Sequence, residues 1–169
     1  MSTNTTIAIL GAAAGAGLVV LTAAASFRLG QAATGGAPAQ EAALARATTV
    51  MDRAVRDYAA ADWAVHGLGP HAHRELLADL DLDGHGARIM TALRQEVGPL
   101  ERMDETVCYK VIETAVTGQP SARRATCFAE LTGRNGPLRL EATLLEEGAG
   151  TDEAVWQLVA FHAAWDRPA

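Results

Sequence analysis

The chain has 169 residues, a formal net charge of −6 and 49% hydrophobic residues, of which few are aromatic. The negative charge argues against a nucleic-acid-binding surface, because proteins with such a surface usually carry a basic face. About a fifth of the residues are alanine, and the burial of alanine removes little apolar area from water. The hydrophobic fraction therefore does not indicate a large core, and the length suits one domain with an appendage.

An uncharged run, IAILGAAAGAGLVVLTAAASF, extends from Ile7 to Phe27 after the polar tail MSTNTT, residues 1–6. As a helix it would be about 31 Å long, which matches the thickness of about 30 Å of a bilayer core. The run therefore predicts a single transmembrane helix over 7–27.

Two alternatives to a membrane anchor remain for this run. A cleaved signal peptide is one, because Ala23-Ala24-Ala25 before Ser26 resembles a signal-peptidase site. Against cleavage, the tail lacks a positive charge, and the run exceeds the apolar region of about 7–15 residues in a signal peptide. The other is a buried soluble helix, which the many glycines disfavour.

Small residues recur within the predicted transmembrane helix. Gly11 and Gly15 form a G-x-x-x-G pair, and Ala13 and Gly17 extend the stripe of small side chains. In lipid, such a stripe lets a second helix approach closely. The stripe predicts helix packing, although a run so rich in alanine and glycine contains this pattern by composition alone.

The segment after the run, residues 28–40, has the glycine- and alanine-rich composition of a flexible linker. We therefore expect the folded domain to span 41–169. Helical periodicity predicts three helices in its first half, over 41–65, 72–80 and 86–97. Glycine and proline follow the first and third of these helices, as is typical of helix ends.

From Thr106 the hydrophobic periodicity changes from helical to alternating, which predicts strands over 106–116, 123–131, 138–144 and 155–165. Turn residues separate them, including Asn135-Gly136, and a polar loop is expected over 146–152. Helices followed by an antiparallel meander predict an α+β domain, with the helices on one face of a curved sheet.

This order of elements resembles the NTF2-like (cystatin-like) superfamily over about residues 41–165. The resemblance rests on the three helices, on Gly98-Pro99-Leu100, and on a meander whose last strand contains Val155-Trp156-Gln157-Leu158. A transmembrane helix before such a domain also resembles VirB8-like components of bacterial secretion machines. Those components usually carry a longer, charged cytoplasmic tail than MSTNTT.

The resemblance implies a cone-shaped pocket between helix and sheet, which some relatives use for acid–base chemistry. Tyr58, Asp62, Trp63 and Tyr109 would line this pocket. An aspartate in an apolar cavity is suited to act as a general acid or base. Packing in the core, with Asp62 at the end of its helix, is the alternative for these residues.

A weak metal motif lies between the second and third predicted helices. Asp79, Asp81 and Asp83 match the opening D-x-D-x-D-G of a calcium-binding EF-hand loop, but Met90 occupies the position of its bidentate glutamate. Asp83 is alternatively the N-cap of the third helix. Four histidines lie nearby: His66, His71, His73 and His85. They suggest a transition-metal site, but no glutamate or cysteine completes a known ligand spacing. We expect no cofactor.

The two cysteines, Cys108 and Cys127, fall on strands that should pair, and two registers are possible. A turn centred on Gln119-Pro120 places Cys127 opposite Ile112 and separates the cysteines by roughly 13 Å, too far for a bond. A tight turn at Thr117-Gly118 places the two cysteines face to face and permits a disulfide.

These patterns predict a non-enzymatic, single-pass protein of a bacterial inner membrane. It would be an accessory or assembly subunit that contacts the lipid bilayer and other membrane-protein subunits. We favour a periplasmic domain, from the resemblance and the cysteine pair, although Arg28 after the helix favours the cytoplasm. The alternatives are a small-molecule-binding protein and an isomerase- or dehydratase-like enzyme built on Asp62 and Tyr58.

Overall fold

The computed structural model describes residues 4–9, 37–114, 122–148 and 154–166. Its elements, in chain order, are β1 (Asn4–Ile9), α1 (Ala37–Ala60), α2 (Arg74–Asp81), α3 (His85–Glu96), β2 (Leu100–Thr114), β3 (Ala122–Gly133), β4 (Gly136–Glu147) and β5 (Val155–Asp166). The strands form one antiparallel sheet in the order β1-β5-β4-β3-β2.

The predicted α+β architecture, with helices on a curved antiparallel sheet, is confirmed. Register shifts interrupt the pairing of β2 with β3 at three places and that of β4 with β5 at one. Such irregularities bend a strand and increase its twist.

The core lies between the helices and one face of the sheet, which we call the inner face. Alternate residues of the strands supply it, as in β4, where Leu138, Leu140 and Leu144 are buried. The helices contribute one stripe each, including Met51 of α1 and Leu93 of α3. The opposite face of the sheet, the outer face, carries the intervening residues.

The first helix differs from its predicted bounds at both ends. It begins at Ala37, so residues 37–40 of the predicted linker are helical. Alanine is the best helix former, and proline is tolerated in the first turn, where Pro38 lies. The helix ends at Ala60, before the predicted 65, because Asp62 and Trp63 adopt positive φ angles of 54° and 61°.

Strand β2 at its start and β4 at its end extend furthest beyond the bounds that their alternation predicts. β2 begins at Leu100 rather than Thr106, because register shifts near Arg102 and Asp104 break the alternating pattern there. β4 continues to Glu147, so the first two residues of the predicted loop over 146–152 are paired with β5.

The N-terminal strand differs from the predicted membrane helix. Residues Asn4–Ile9 pair with β5, so Ile7–Ile9 are in a strand rather than in the first turn of a helix over 7–27. Four of the six residues of β1 are threonine or isoleucine, whose branched side chains favour strands. The remaining positions of that predicted helix, with Gly11, Ala13, Gly15 and Gly17, lie outside the described residues. Within the described ranges, no helix has the length and hydropathy needed to span a membrane.

Candidate functional site

The structure does not bring the four predicted pocket residues together. Tyr58 and Trp63 are core residues, 2% and 0% exposed, and their rings pack edge to face with centroids 5.5 Å apart. Burial raises the pKa of Tyr58, so its hydroxyl stays protonated. The indole Nε1 of Trp63 donates a hydrogen bond to the carbonyl oxygen of Gly98, 2.9 Å away. Both side chains therefore stabilise the fold.

The other two pocket candidates are on the surface, in different places. Asp62 is exposed in the turn after α1, where its carboxylate lies 2.7 Å from Nε of Arg94. Tyr109 is 54% exposed on the outer face of the sheet, which is the face opposite the helices. An acid–base pair of Asp62 and Tyr58 on a common cavity is thus not supported by these positions.

The aspartates of the calcium-like motif do not form a loop around a common point. Asp79 and Asp81 belong to α2, while Asp83 follows in a short 3-10 turn with a φ of 52°. Asp83 is not the N-cap of α3, because Gly84 occupies that position in a left-handed conformation. In the described part of the chain, no group of three or more histidine, cysteine or acidic side chains is arranged to hold a metal.

His71 and His73 lie in the loop before α2, where they connect this loop to α1 and β5. Nε2 of His71 lies 2.6 Å from a carboxylate oxygen of Asp57 on α1. The backbone of the loop bridges to β5: Leu158 donates its amide to the carbonyl oxygen of His71, and His73 donates its amide to that of Leu158. Both bonds are 2.8 Å long, and they tie the helical layer to the sheet.

Cys108 and Cys127 lie directly opposite each other on β2 and β3, and their sulfur atoms form a disulfide bond. This pairing corresponds to the second of the two registers considered from the sequence. The register with Cys127 opposite Ile112 does not occur, since Ile112 pairs with Arg124.

The outer face of the sheet is the most distinctive surface of the described domain. Tyr109, Ile112 and Val155 are about half exposed there, and no described helix covers them. Register places Ile112 beside Arg124 on β3, and Val155 beside Glu147 on β4. Apolar side chains on this face therefore alternate with charged ones.

An aromatic pair lies on the outer face where β3 meets the edge strand β2. The rings of Tyr109 and Phe128 have centroids 6.0 Å apart, and the guanidinium of Arg139 lies 4.5 Å above the Phe128 ring. The Tyr109 hydroxyl is 3.5 Å from a carboxylate oxygen of Glu141. These contacts link Tyr109 of β2 and Phe128 of β3 to Arg139 and Glu141 of β4.

A polar group lies further along the same face, beyond Glu130. The hydroxyl of Thr132 donates a hydrogen bond of 2.8 Å to Asp104, and Arg102 also contacts that carboxylate. The Thr132 hydroxyl, and secondarily Arg102, lower the pKa of Asp104, so this exposed carboxylate is charged at neutral pH.

Sequence reasoning identified the alternation of these strands but singled out only Tyr109 as a candidate residue. The outward positions of β3 read Arg124, Thr126, Phe128 and Glu130, so Phe128 is a large apolar side chain on a polar face. An aromatic residue in the polar half of an alternating pattern was the available signal.

A buried carboxylate on the inner face was not among the residues predicted from the sequence. Glu146 is fully buried, and it accepts hydrogen bonds from Arg46 of α1 at 3.0 Å and from Arg123 of β3 at 3.2 Å. Arg123 also lies 3.4 Å from Glu113 on β2. The cluster joins α1 to the end of the sheet. The available sequence signal was the alternation from Leu138 to Leu144, which places Glu146 on the inner face when it is continued by two residues.

No family model, curated protein or solved structure matches this chain. The resemblance to the NTF2-like superfamily therefore stays a prediction.

Proposed function

We propose that the chain is a non-enzymatic, membrane-anchored assembly subunit whose NTF2-like domain binds a partner protein on the outer face of its sheet. The observation that carries the proposal is the aromatic pair of Tyr109 and Phe128, with Arg139 over the Phe128 ring and Ile112 exposed on the same face, which no described helix covers.

The chemistry of the outer face supports protein binding. Aromatic residues and arginine are enriched among the residues that dominate binding energy at protein interfaces, and charged residues form the rims. Tyr109 is such an aromatic residue and Arg139 such an arginine. Beside them, a carboxylate oxygen of Glu130 lies 3.5 Å from the guanidinium nitrogen Nη1 of Arg139. The partner expected for this surface presents an apolar centre with charges of both signs around it.

The separation of the pocket candidates supports a non-enzymatic role. Tyr58 and Trp63 are used in core packing, while Asp62 and Tyr109 face solvent at different parts of the domain. A general acid or base must lie within hydrogen-bonding reach of the same substrate as its catalytic partners. The buried Glu146 has two arginine partners, which suits it to a structural role.

The anchor and its side of the membrane complete the proposal. The uncharged run Ile7–Phe27 has the length of a membrane span. Disulfides persist in oxidising compartments such as the periplasm, so the Cys108–Cys127 bond favours a domain on that side. The expected partners are other subunits of an inner-membrane complex.

Affinity purification of the full chain in mild detergent tests the proposal. We expect a membrane partner to copurify with the wild type and to be lost with the double variant Tyr109→Ser and Ile112→Ser. Leu82→Ser is the matched control, because Leu82 is an apolar side chain that is 65% exposed in the helical layer. Equal partner recovery with all three proteins would contradict docking on the outer face, and recovery of monomer alone would contradict the assembly role.

A further inference from the structure

The strand β1 is attached to the sheet through one edge of β5. The register runs from Asn4 opposite Asp166 to Ile9 opposite Phe161. The first half of β5 has a different neighbour on this side, the loop residue Ala72, which bridges to Leu158. Residues Phe161–Asp166 therefore form an edge, here called the docking edge, that β1 covers.

Chain topology makes this pairing incompatible with a single-pass anchor in the same molecule. Residues 10–36, which are 27 in number, connect Ile9 in the sheet to Ala37 at the start of α1. Both ends of the connection thus belong to one folded domain, on one side of any bilayer. A single membrane crossing would place its two ends on opposite sides.

A second crossing does not resolve the conflict. Each helical crossing needs about 20 residues, so two crossings exceed the available connection. If residues 10–27 formed one helix, the remaining segment 28–36 would have to return through the hydrocarbon with Arg28 and an unpaired backbone. Docked β1 and a membrane-spanning helix are therefore alternative states of the chain.

We propose that β1 is an exchangeable edge strand that covers the docking edge until the chain inserts into a bilayer. Insertion withdraws Asn4–Ile9, and the docking edge then binds an extended segment of a partner subunit by adding it to the sheet. The inference rests on the proposed membrane anchor.

The docking edge defines the chemistry of the segment that it accepts. An edge strand offers unpaired backbone amide and carbonyl groups, which an extended peptide satisfies. Phe161, Ala163 and Trp165 of the docking edge are buried inner-face residues, and directly paired residues share a face of the sheet. In β1 these positions are paired with Ile9, Ile7 and Thr5, so the partner segment is expected to be uncharged and branched at alternate residues.

A cross-link between β1 and β5 tests the exclusion of the two states. Ala8 pairs with His162, so the full chain with Ala8→Cys and His162→Cys is expected to form a second disulfide in aqueous solution. This locked chain should lose alkali-resistant association with vesicles of phosphatidylethanolamine and phosphatidylglycerol, and reduction should restore it. The matched control combines Ala8→Cys with Ala160→Cys, because Ala160 lies two residues along β5 from His162, the residue opposite Ala8.

Three results separate the exchange from the anchor. If the locked chain inserts as well as the control, or if the cross-link forms equally in inserted protein, the exchange is contradicted and the anchor stands. If neither the wild type nor the control associates with vesicles, the anchor itself fails, and the exchange fails with it.

A labelled synthetic peptide with the sequence NTTIAI probes the docking edge directly. We expect it to bind vesicle-inserted wild type and not the locked chain, because only insertion uncovers the edge. Equal binding to the two proteins, or binding to neither, would contradict strand docking after insertion.

Discussion

Glu146 shows how one residue can join three elements of the domain. Among the described residues it is the charged side chain with no exposed surface, and arginines of α1 and β3 contact its two carboxylate oxygens. A buried charge is costly unless it is paired and hydrogen-bonded. Arg46 and Arg123 supply this pairing, so the start of α1 is fixed to the end of the sheet.

We expect the Glu146→Gln variant to lower the free energy of unfolding by about 1–3 kcal/mol, because hydrogen bonds to a charged group are lost while the shape is kept. Glu147→Gln is the matched control, since the Glu147 side chain is 61% exposed, and surface substitutions usually change stability by about 0.5 kcal/mol or less. Urea denaturation of the two variants measures the difference. Equal midpoints would mean that the Glu146 cluster contributes no net stability.

At the scale of elements, the pairing of β2 with β3 depends on bulges that the sequence pattern conceals. The alternating pattern predicted strands β2, β3 and β4. It placed the start of β2 at Thr106 and the end of β4 at Leu144, so both strands were predicted too short. Register shifts interrupt alternation around Asp104, and the turn-like composition of Glu146-Glu147-Gly148 conceals the last strand residues. The same uncertainty in register left two possibilities for Cys108 and Cys127.

The N-terminal strand was not predictable from local sequence for a different reason. Residues 7–9 fit both an apolar helix and a branched strand, and only the available edge of β5 favours the strand. Tyr109 lies in the bulge after Cys108, and the bulge determines on which face of the sheet its side chain is exposed. The spacing of residues in the sequence does not show where a bulge occurs.

The disulfide between β2 and β3 should stabilise the domain mainly through the unfolded state. It joins residues 19 apart in sequence, and closure of a loop of that size contributes about 3 kcal/mol. We expect reduction, or the double substitution of Cys108 and Cys127 by Ser, to lower the free energy of unfolding by about that amount. Thermal unfolding with and without a reductant measures the effect, and a wild-type transition that ignores the reductant would contradict it.

At the scale of the whole molecule, the two faces of the sheet have different roles. The inner face and the helices bury the core, while the outer face carries an aromatic pair of which Tyr109 is half exposed. The fold class followed from periodicity in the sequence, because one helical stripe and alternating strands specify which surfaces must meet. The binding role proposed for the outer face could not be predicted from periodicity, because it depends on side chains that pairing of the strands brings together across the sheet.

Site-specific photocross-linking in native membranes most directly tests whether the outer face binds the partner. A photoreactive amino acid would replace Ile112 on the outer face and, in a control chain, Arg53 on the exposed side of α1. We expect an adduct with a membrane protein from position 112 and none from position 53. An adduct from position 53 alone, or none from position 112 in membranes that contain the anchored chain, would contradict the proposal that the outer face binds the partner.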